Sequence, residues 1–308
     1  MTADLQAPAF TDNNAAREAM EAVMWPHGPV CPRCGSLDRI GKMGAKSGRP
    51  GLYYCGECKR QFTVTVGTIF ERSKVPLSKW WLAVHLMASS KKGMSAHQLH
   101  RMLGVTYQTA WFMEHRIREA MRSGDFAPPL GGAGKTVEVD ETFIGKKKDM
   151  PKRSGYAHKH AVLTLVERGG EARSFHVDGT SAKDVVPILK TNIAAETRVV
   201  TDEAGQYAQL NKEFAAHEFV THGSGEYVRG DVHTNTLEGF YSVFKRGMKG
   251  VYQHCAEKHL HRYVSEFDFR YNARSAMGVE DAERAAMVVR GATGKRLMYR
   301  RTDGSSVA

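Results

Sequence analysis

Between Thr136 and Ile144 polar and apolar residues alternate, with Val137 and Val139 on one face and Glu138, Asp140 and Thr142 on the other, the period of a half-buried β-strand. The same signal predicts strands over residues 159–166 and 172–177, joined through Gly169 and Gly170 as a hairpin, and shorter strands over 198–201 and 216–220. Between and after them the period becomes helical. Helices are predicted over 181–190, where Pro187 opposes regular geometry, over 206–214, over a segment burying Leu237, Phe240, Tyr241 and Phe244, and over 257–272, with Leu260, Tyr263, Val264, Phe267 and Tyr271 on one side. Three strands, helix, strand, helix, strand, helix is the order of a mixed sheet flanked by helices.

The first third is patterned differently. Residues 76–88 carry apolar positions at helical spacing, Ser95 opens a short amphipathic helix ending at Leu103, Gly104 and Val105 supply a turn, and Thr106 starts a further helix reaching Arg118. This is helix-turn-helix order. In that reading Tyr107, Gln108 and Thr109 lie on the first turn of a recognition helix and meet base edges, while Arg116 and Arg118 contact phosphates. The plainer reading is a small bundle with Trp111, Phe112 and Ile117 as core.

Cysteine spacing adds a metal. Cys31-Pro-Arg-Cys34 and Cys55-Gly-Glu-Cys58 are two matched pairs with twenty residues between them, the spacing of a ribbon that holds a structural Zn²⁺ in four thiolates, with short strands at 51–54 and 61–66. Cys255 has no partner at ligand spacing and reads as a small hydrophobe. The Gly- and Pro-rich stretch 123–134 reads as a linker. The expected organisation is therefore an N-terminal helical or flexible segment (1–25), a zinc ribbon (26–70), a helix-turn-helix domain (71–122), a linker (123–135), an α/β domain (136–275) and a basic, mobile tail (276–308).

Charge and composition narrow the partners. With 308 residues, 42% hydrophobic and 25% charged, the chain has room for two or three domains and a sizeable core. An excess of 44 Lys and Arg over 33 Asp and Glu, a net +11, suits a polyanion such as nucleic acid. No apolar run approaches the ~18 residues of a membrane span, and the N-terminus lacks the basic-then-apolar order of a signal peptide. A cytoplasmic protein without disulfides is expected.

Three separated acids carry the candidate chemistry: Asp140, Asp202 after the strand at 198–201, and Glu238 on the helix that follows. A strand-borne Asp, a strand-end Asp and a helix-borne Glu can converge on a pair of divalent ions, which suits phosphodiester cleavage or strand transfer. Carboxylates are hard ligands, so Mg²⁺ is expected, with Mn²⁺ as a substitute. Each acid also has a plainer role: Asp140 as a solvated strand residue, Asp202 as a helix cap, Glu238 as the end of a capping box begun by Asn235. A carboxylate on a covered central strand is costly unless paired, which favours a ligand role for Asp140. Asp178 and Asp184 are the main rivals, with Glu138, Glu141, Glu203 and Glu226 behind them. His233, His254, His259 and His261 are candidate phosphate contacts or proton carriers, or simply structural, and Arg262, Arg270 and Arg274 are candidates to line DNA.

The segments Val137-Glu-Val-Asp-Glu-Thr-Phe-Ile-Gly145, Val200-Thr-Asp-Glu-Ala204 and His233-Thr-Asn-Thr-Leu-Glu-Gly-Phe-Tyr-Ser-Val-Phe-Lys-Arg246 resemble those of DDE-type insertion-sequence transposases, the branch with an N-terminal zinc ribbon, and the likeness extends from Pro26 to Asn272. The resemblance implies a ribonuclease-H-like catalytic core behind the ribbon and helix-turn-helix. It also implies that Asp140, Asp202 and Glu238 form the catalytic triad, with Lys245, two helical turns beyond Glu238 and followed by Arg246, contacting DNA. Some members carry Asn in the third position, and Asn235 is that alternative here. The implied partners are double-stranded DNA, as terminal inverted repeats and target, and further copies of the chain on paired ends. A DNA-binding regulator without catalysis and a metal-dependent nuclease of the same fold are the competing functions.

Overall fold

The computed structural model describes residues 5–44, 49–124, 127–148, 150–151 and 155–297. Two units share the chain: one takes the residues up to Ser90, Met94–Arg122 and everything from Gly278 onward, the other Lys91–Gly93 and Ser123–Met277.

In the first unit, helix α1 (Asn13–Met24) starts where the Asp12 carboxylate accepts the Ala15 N–H at 2.7 Å. Strands β1 (Ile40–Lys42), β2 (Tyr53–Cys55) and β3 (Arg60–Phe62) make an antiparallel sheet in that order, with Tyr53 stacked on Phe62 and Trp25 set edge-on to both. The strand expected to reach Val66 stops at Phe62, because Val66 N–H turns back to the Thr63 carbonyl. Helices α2 (Leu77–Ser89), α3 (Ala96–Leu103) and α4 (Tyr107–Met121) follow. Ser95 caps α3, Gly104 ends it in the left-handed region at φ +58°, and Thr106 caps α4 by accepting the Thr109 N–H, so the predicted helix, turn and helix all form.

Within the second unit, β4 (Thr136–Ile144) is the middle strand of five. It pairs antiparallel with β5 (His160–Glu167), which pairs antiparallel with β6 (Ala172–Val177); on its other side it runs parallel to β7 (Arg198–Asp202), and β7 parallel to β8 (Ala216–Val220). This mixed sheet is consistent with a ribonuclease-H-like domain. One face buries Val137, Val139, Leu163 and Val199 against Val185 and Leu189 of α5 (Ala182–Asn192). The other buries Ile144, Val162 and Val166 against Leu237, Phe240, Tyr241 and Phe244 of α6 (Asn235–Gly247) and Leu260, Val264 and Phe267 of α7 (Glu257–Asn272). At Gly247 a Cβ would meet the Phe267 ring at 2.5 Å, so only glycine permits that approach of α6 to α7.

Two expectations are corrected. In place of a helix over 206–214 the chain makes two short 3₁₀ turns, Gly205–Tyr207 and Leu210–Lys212, which suffice to place Tyr207, Leu210 and Phe214 in the core. The tail expected to be mobile contains α8 (Asp281–Arg290), whose Ala285, Val288 and Val289 are buried within the first unit and whose Arg284 donates to the Val279 and Ala88 carbonyls. A basic composition concealed a short amphipathic stripe there; the remainder of that tail, 298–308, lies outside the described residues. Among the described residues no helix is long and apolar enough to cross a membrane.

Candidate active site

Side chains at 138, 140, 142 and 144 share the β4 face that α6 covers, since Ile144 belongs to that core and strand residues alternate. In the parallel pairing of β4 with β7 the last paired residues are Glu138 and Val200; Asp140 and Asp202 each lie two residues beyond that pair, and the charge of Asp202 acts on Asp140. The alternation puts both carboxylates on one face, Asp140 in the middle of β4 and Asp202 at the end of β7. Each uses one oxygen locally: Asp140 Oδ1 accepts the Glu141 N–H at 2.7 Å, and Asp202 Oδ1 accepts the Ala204 N–H at 3.0 Å.

Burial pushes the Asp140 carboxyl up to about 7, repulsion from Asp202 and Glu141 adds to the rise, and the Glu141 N–H and the Lys245 ammonium oppose it. Glu141, on the opposite face, is also held above its usual range, chiefly by burial, and takes weak hydrogen bonds from Gln206 at 3.3 Å. Burial and the neighbouring acids thus make ionisation of Asp140 costly, and a bound cation would relieve that cost.

Helix α6 is positioned by two polar anchors. The Tyr241 hydroxyl donates to the Asp140 main-chain carbonyl at 2.6 Å. At the helix start, the Leu237 N–H donates to Glu138 Oε2 at 2.9 Å, while Arg168 Nε donates to Glu138 Oε1 at 2.7 Å. The same guanidinium donates to the Asp231 and His233 carbonyls, both at 2.8 Å, and so fixes the loop entering α6. The sequence marks Glu138 only as a minor rival among the carboxylates and gives Arg168 no role, because their partners lie far along the chain.

With α6 fixed, Glu238 sits one turn before Tyr241 and Lys245 one turn after it, both exposed and both flanking the residue that touches Asp140. Lys245 Nζ lies 5.5 Å from the Tyr241 ring centre. The capping-box role for Glu238 is not realised: Thr234 is the N-cap and its side chain makes no capping bond, Asn235 is the first helical residue, and the first-turn N–H groups of Asn235 and Leu237 go to His233 and Glu138 instead. Asn235 is exposed and gives its backbone N–H to His233 Nδ1 at 3.3 Å. Since Arg168 Nη2 also approaches that nitrogen at 3.2 Å, Nδ1 accepts and the ring proton belongs on Nε2. Arg246 folds back on Ser242. The rival Asp184 is occupied in a capping box with Ser181. The three acids do not close into a single-ion cluster; an ion pair roughly 4 Å apart calls for ligands spread more widely than that.

In the first unit, Cys31 Sγ lies 3.7 Å from Cys58 Sγ, and Cys34 Sγ 3.7 Å from Cys55 Sγ, with all four sulfurs within 4.8 Å of one another. A disulfide would need about 2.05 Å, whereas the edge of a tetrahedron with Zn–S bonds of about 2.3 Å is roughly 3.8 Å. The four thiols thus fit a tetrahedral metal site. Burial of Cys31 would raise its thiol, but hydrogen bonds from the Arg33 and Cys34 backbone outweigh this and bring it down to about 7.

Residues 129–272 match the ISXO2-like transposase domain, and residues 11–61 match the transposase zinc-ribbon domain. A protein of transposable element ISH50 from Halobacterium salinarum, described as uncharacterized, is 30% identical over 281 residues, covering 85% of this chain and 91% of that one. The chain belongs to the ISXO2-like transposase family. A chain in a solved simian T-cell lymphotropic virus intasome bound to PP2A regulatory subunit B56 gamma is 12% identical, covering 55% of this transposase and 63% of that chain at a TM-score of 0.28, too loose a superposition to inform the fold.

Several basic side chains expected to meet DNA are committed elsewhere in the transposase. Arg116 is buried and donates to the Ile69, Glu71 and Leu297 carbonyls. Arg118 is buried against Glu114 at 3.1 Å, and Arg270 against Glu266. Arg274 donates to Gly170 and Tyr271 carbonyls and lies over the Tyr271 ring. Tyr107 and Gln108 remain exposed at the start of α4, Tyr107 against the His97 ring, while Thr109 bonds back to Thr106. Cys255 packs beside the α6–α7 core as a small hydrophobe would.

Proposed function

We propose that this transposase cuts and rejoins DNA at the ends of an insertion sequence, with Asp140, Asp202 and Glu238 as its catalytic acids. The observation that carries the reading is the alignment of Asp140 with Asp202 on one face of adjacent parallel strands, under a helix that Tyr241 pins to Asp140 and that bears Glu238 and Lys245 on either side. The donor set is all carboxylate, which suits Mg²⁺ or Mn²⁺. Bound there, two such ions supply charge stabilisation for the attacking and leaving oxygens of an in-line displacement. Asp140 and Asp202 hold the reaction centre at the sheet, Glu238 closes it from α6, and Lys245 bears on a neighbouring phosphate. Water is the nucleophile for the first cut, which frees a 3′-hydroxyl; that hydroxyl then attacks target DNA, and no covalent protein intermediate forms.

The four thiolates hold Zn²⁺ as a structural ion that keeps the ribbon folded. Helices α3 and α4 act as a helix-turn-helix over residues 71–122, presenting Tyr107 and Gln108 to base edges. A groove beside them lined by Arg72, Lys74, Thr109 and Phe112 supports that reading, since it sets two cations next to the exposed helix start. Terminal repeats and target DNA are the substrates, several copies act on paired ends, and the work is done on DNA in the cytoplasm. The catalytic domain corresponds to 136–275.

Purified protein incubated with the terminal repeats of its element, target DNA and Mg²⁺ tests this. Wild type should cleave and join, and Asp140→Ala should bind the repeats without doing either. Binding without metal-dependent cleavage by wild type would overturn the proposal in favour of a regulator, and cleavage that never leads to joining would restrict the enzyme to a nuclease.

A further inference from the structure

Away from the acids, the β5–β6 hairpin and the start of α7 bring together a second set of metal-binding side chains. His160 is the first residue of β5, and His176 lies near the end of β6. Val162 pairs with His176 in the antiparallel register, so His160 and His176 are diagonal neighbours on the same sheet face. Their ring centres are 5.6 Å apart with planes at 74°. Glu257, the first residue of α7, reaches over them, and its Oε1 lies 3.4 Å from His160 Nδ1. One ligand atom from each of the three falls within 4.8 Å of the other two.

The His160 ring is the informative member. It is 4% exposed, and its Nδ1 is buried with no hydrogen-bond partner despite the nearby carboxylate. A buried ring nitrogen without a partner is costly. In a simple His–Glu pair the exposed, flexible Glu257 would rotate to close a proper hydrogen bond. Instead two imidazoles and a carboxylate surround a common point, and Glu257 leaves one side open to solvent.

We propose that His160, His176 and Glu257 bind a divalent transition-metal ion, Zn²⁺ in preference to Mg²⁺. Two imidazole nitrogens and one carboxylate oxygen are a known zinc donor set that leaves a position for water, and imidazole disfavours the hard ions that suit the acidic site. Zn–N bonds of about 2.0 Å need ligand separations of roughly 3.3 Å; the three ligand atoms lie within 4.8 Å of one another, and rotations of the two imidazoles and of the half-exposed Glu257 side chain would close the difference. Asp178 and Lys147 also act on His176, in opposite directions. The site is separate from the catalytic acids: Thr164, the cross-strand partner of Asp140, is four residues from His160, about 13 Å along β5.

The consequence is structural. The later half of α7 is already tied to β6, where Asp268 accepts from the Ser174 backbone and hydroxyl and Asn272 exchanges hydrogen bonds with Ala172. An ion at His160, His176 and Glu257 fastens the helix start as well, just after the irregular stretch at Met248–Tyr252 and Gln253 that connects it to α6.

The test is zinc content per chain after equilibration of the full-length protein with micromolar free Zn²⁺, with Glu257→Ala and His176→Ala beside wild type. Wild type should hold two ions, one in the ribbon and one here, and each variant one. Affinity for the second ion should fall at least about tenfold, the low end of what losing even an outer partner of a metal site costs. Co²⁺ substitution separates the sites, because the thiolate-to-cobalt charge-transfer band of the ribbon should persist in both variants. One ion in wild type, or two in both variants, would overturn the proposal. Glu257 is half exposed at a helix start, so its replacement by Ala leaves a folded protein to measure.

Discussion

Tyr241 donates its hydroxyl to the main-chain carbonyl of Asp140 at 2.6 Å, so the helix carrying Glu238 and Lys245 is registered against the backbone of the strand carrying the first acid. Removing that hydroxyl leaves a buried carbonyl short of a donor. Tyr241→Phe should lower unfolding stability by about 1–3 kcal/mol in urea titration, and strand cleavage should weaken further than the stability loss alone accounts for. Unchanged cleavage in a folded Tyr241→Phe protein would mean that this contact does not position α6 for catalysis.

Glu138 is fully buried and shared between Arg168 and the first turn of α6, and Arg168 is itself mostly covered. Breaking one side of such a pair leaves an uncompensated charge, at a cost of about 3–5 kcal/mol. Arg168→Ala and Glu138→Ala should each fall in that range, and the double variant should lose much less than their sum. Additive losses would show that the two are not coupled.

The third catalytic position distinguishes Glu238 from Asn235. Glu238→Gln should reduce metal-dependent cleavage by roughly 10²-fold or more, the scale of removing one group that stabilises transition-state charge, while Asn235→Ala should stay within about tenfold of wild type by the same measure. The reverse order of effects would move the ligand to Asn235.

Asp268 is buried between α7 and β6, and burial raises its carboxyl to about 7 despite hydrogen bonds from the Ser174 hydroxyl and backbone. Its folded value lies above its unfolded one, so the neutral form is favoured in the fold. Its contribution is fully present below about pH 4 and is lost as pH rises through about 7. Over that window stability should fall by up to about 1.4 kcal/mol per pH unit from this group. Comparing unfolding of wild type and Asp268→Asn from pH 5 to 8 checks the sign: the variant should lose that part of the slope.

Cys34→Ser should release the ribbon metal, and without it the small sheet has too little core to persist. Trp25, set edge-on to Tyr53 and Phe62, reports this directly. Its emission should shift to the red in the variant or on chelation of wild type, while far-ultraviolet circular dichroism keeps the helical and sheet signal of the second unit.

Spacing along the chain was enough to identify what depends on neighbours in sequence. The two Cys-x-x-Cys pairs, the alternating β4, the capped helices α3 and α4, and the family motifs around Asp140, Asp202 and Glu238 are all local patterns, and the structure places each of them in the element expected. Tertiary structure decided which charges are free. Arg116 and Arg274 look like DNA contacts in sequence, yet each is committed to a carbonyl brought to it by folding, while Arg118 and Arg270, each four residues from a glutamate on its own helix, are buried with that partner when the helix packs. Glu138 became a buried anchor for α6, and a stripe in a basic tail a packed helix. The reason is physical: secondary structure follows periods of two to four residues, whereas the desolvation and pairing of a charge depend on groups up to a hundred or more positions away.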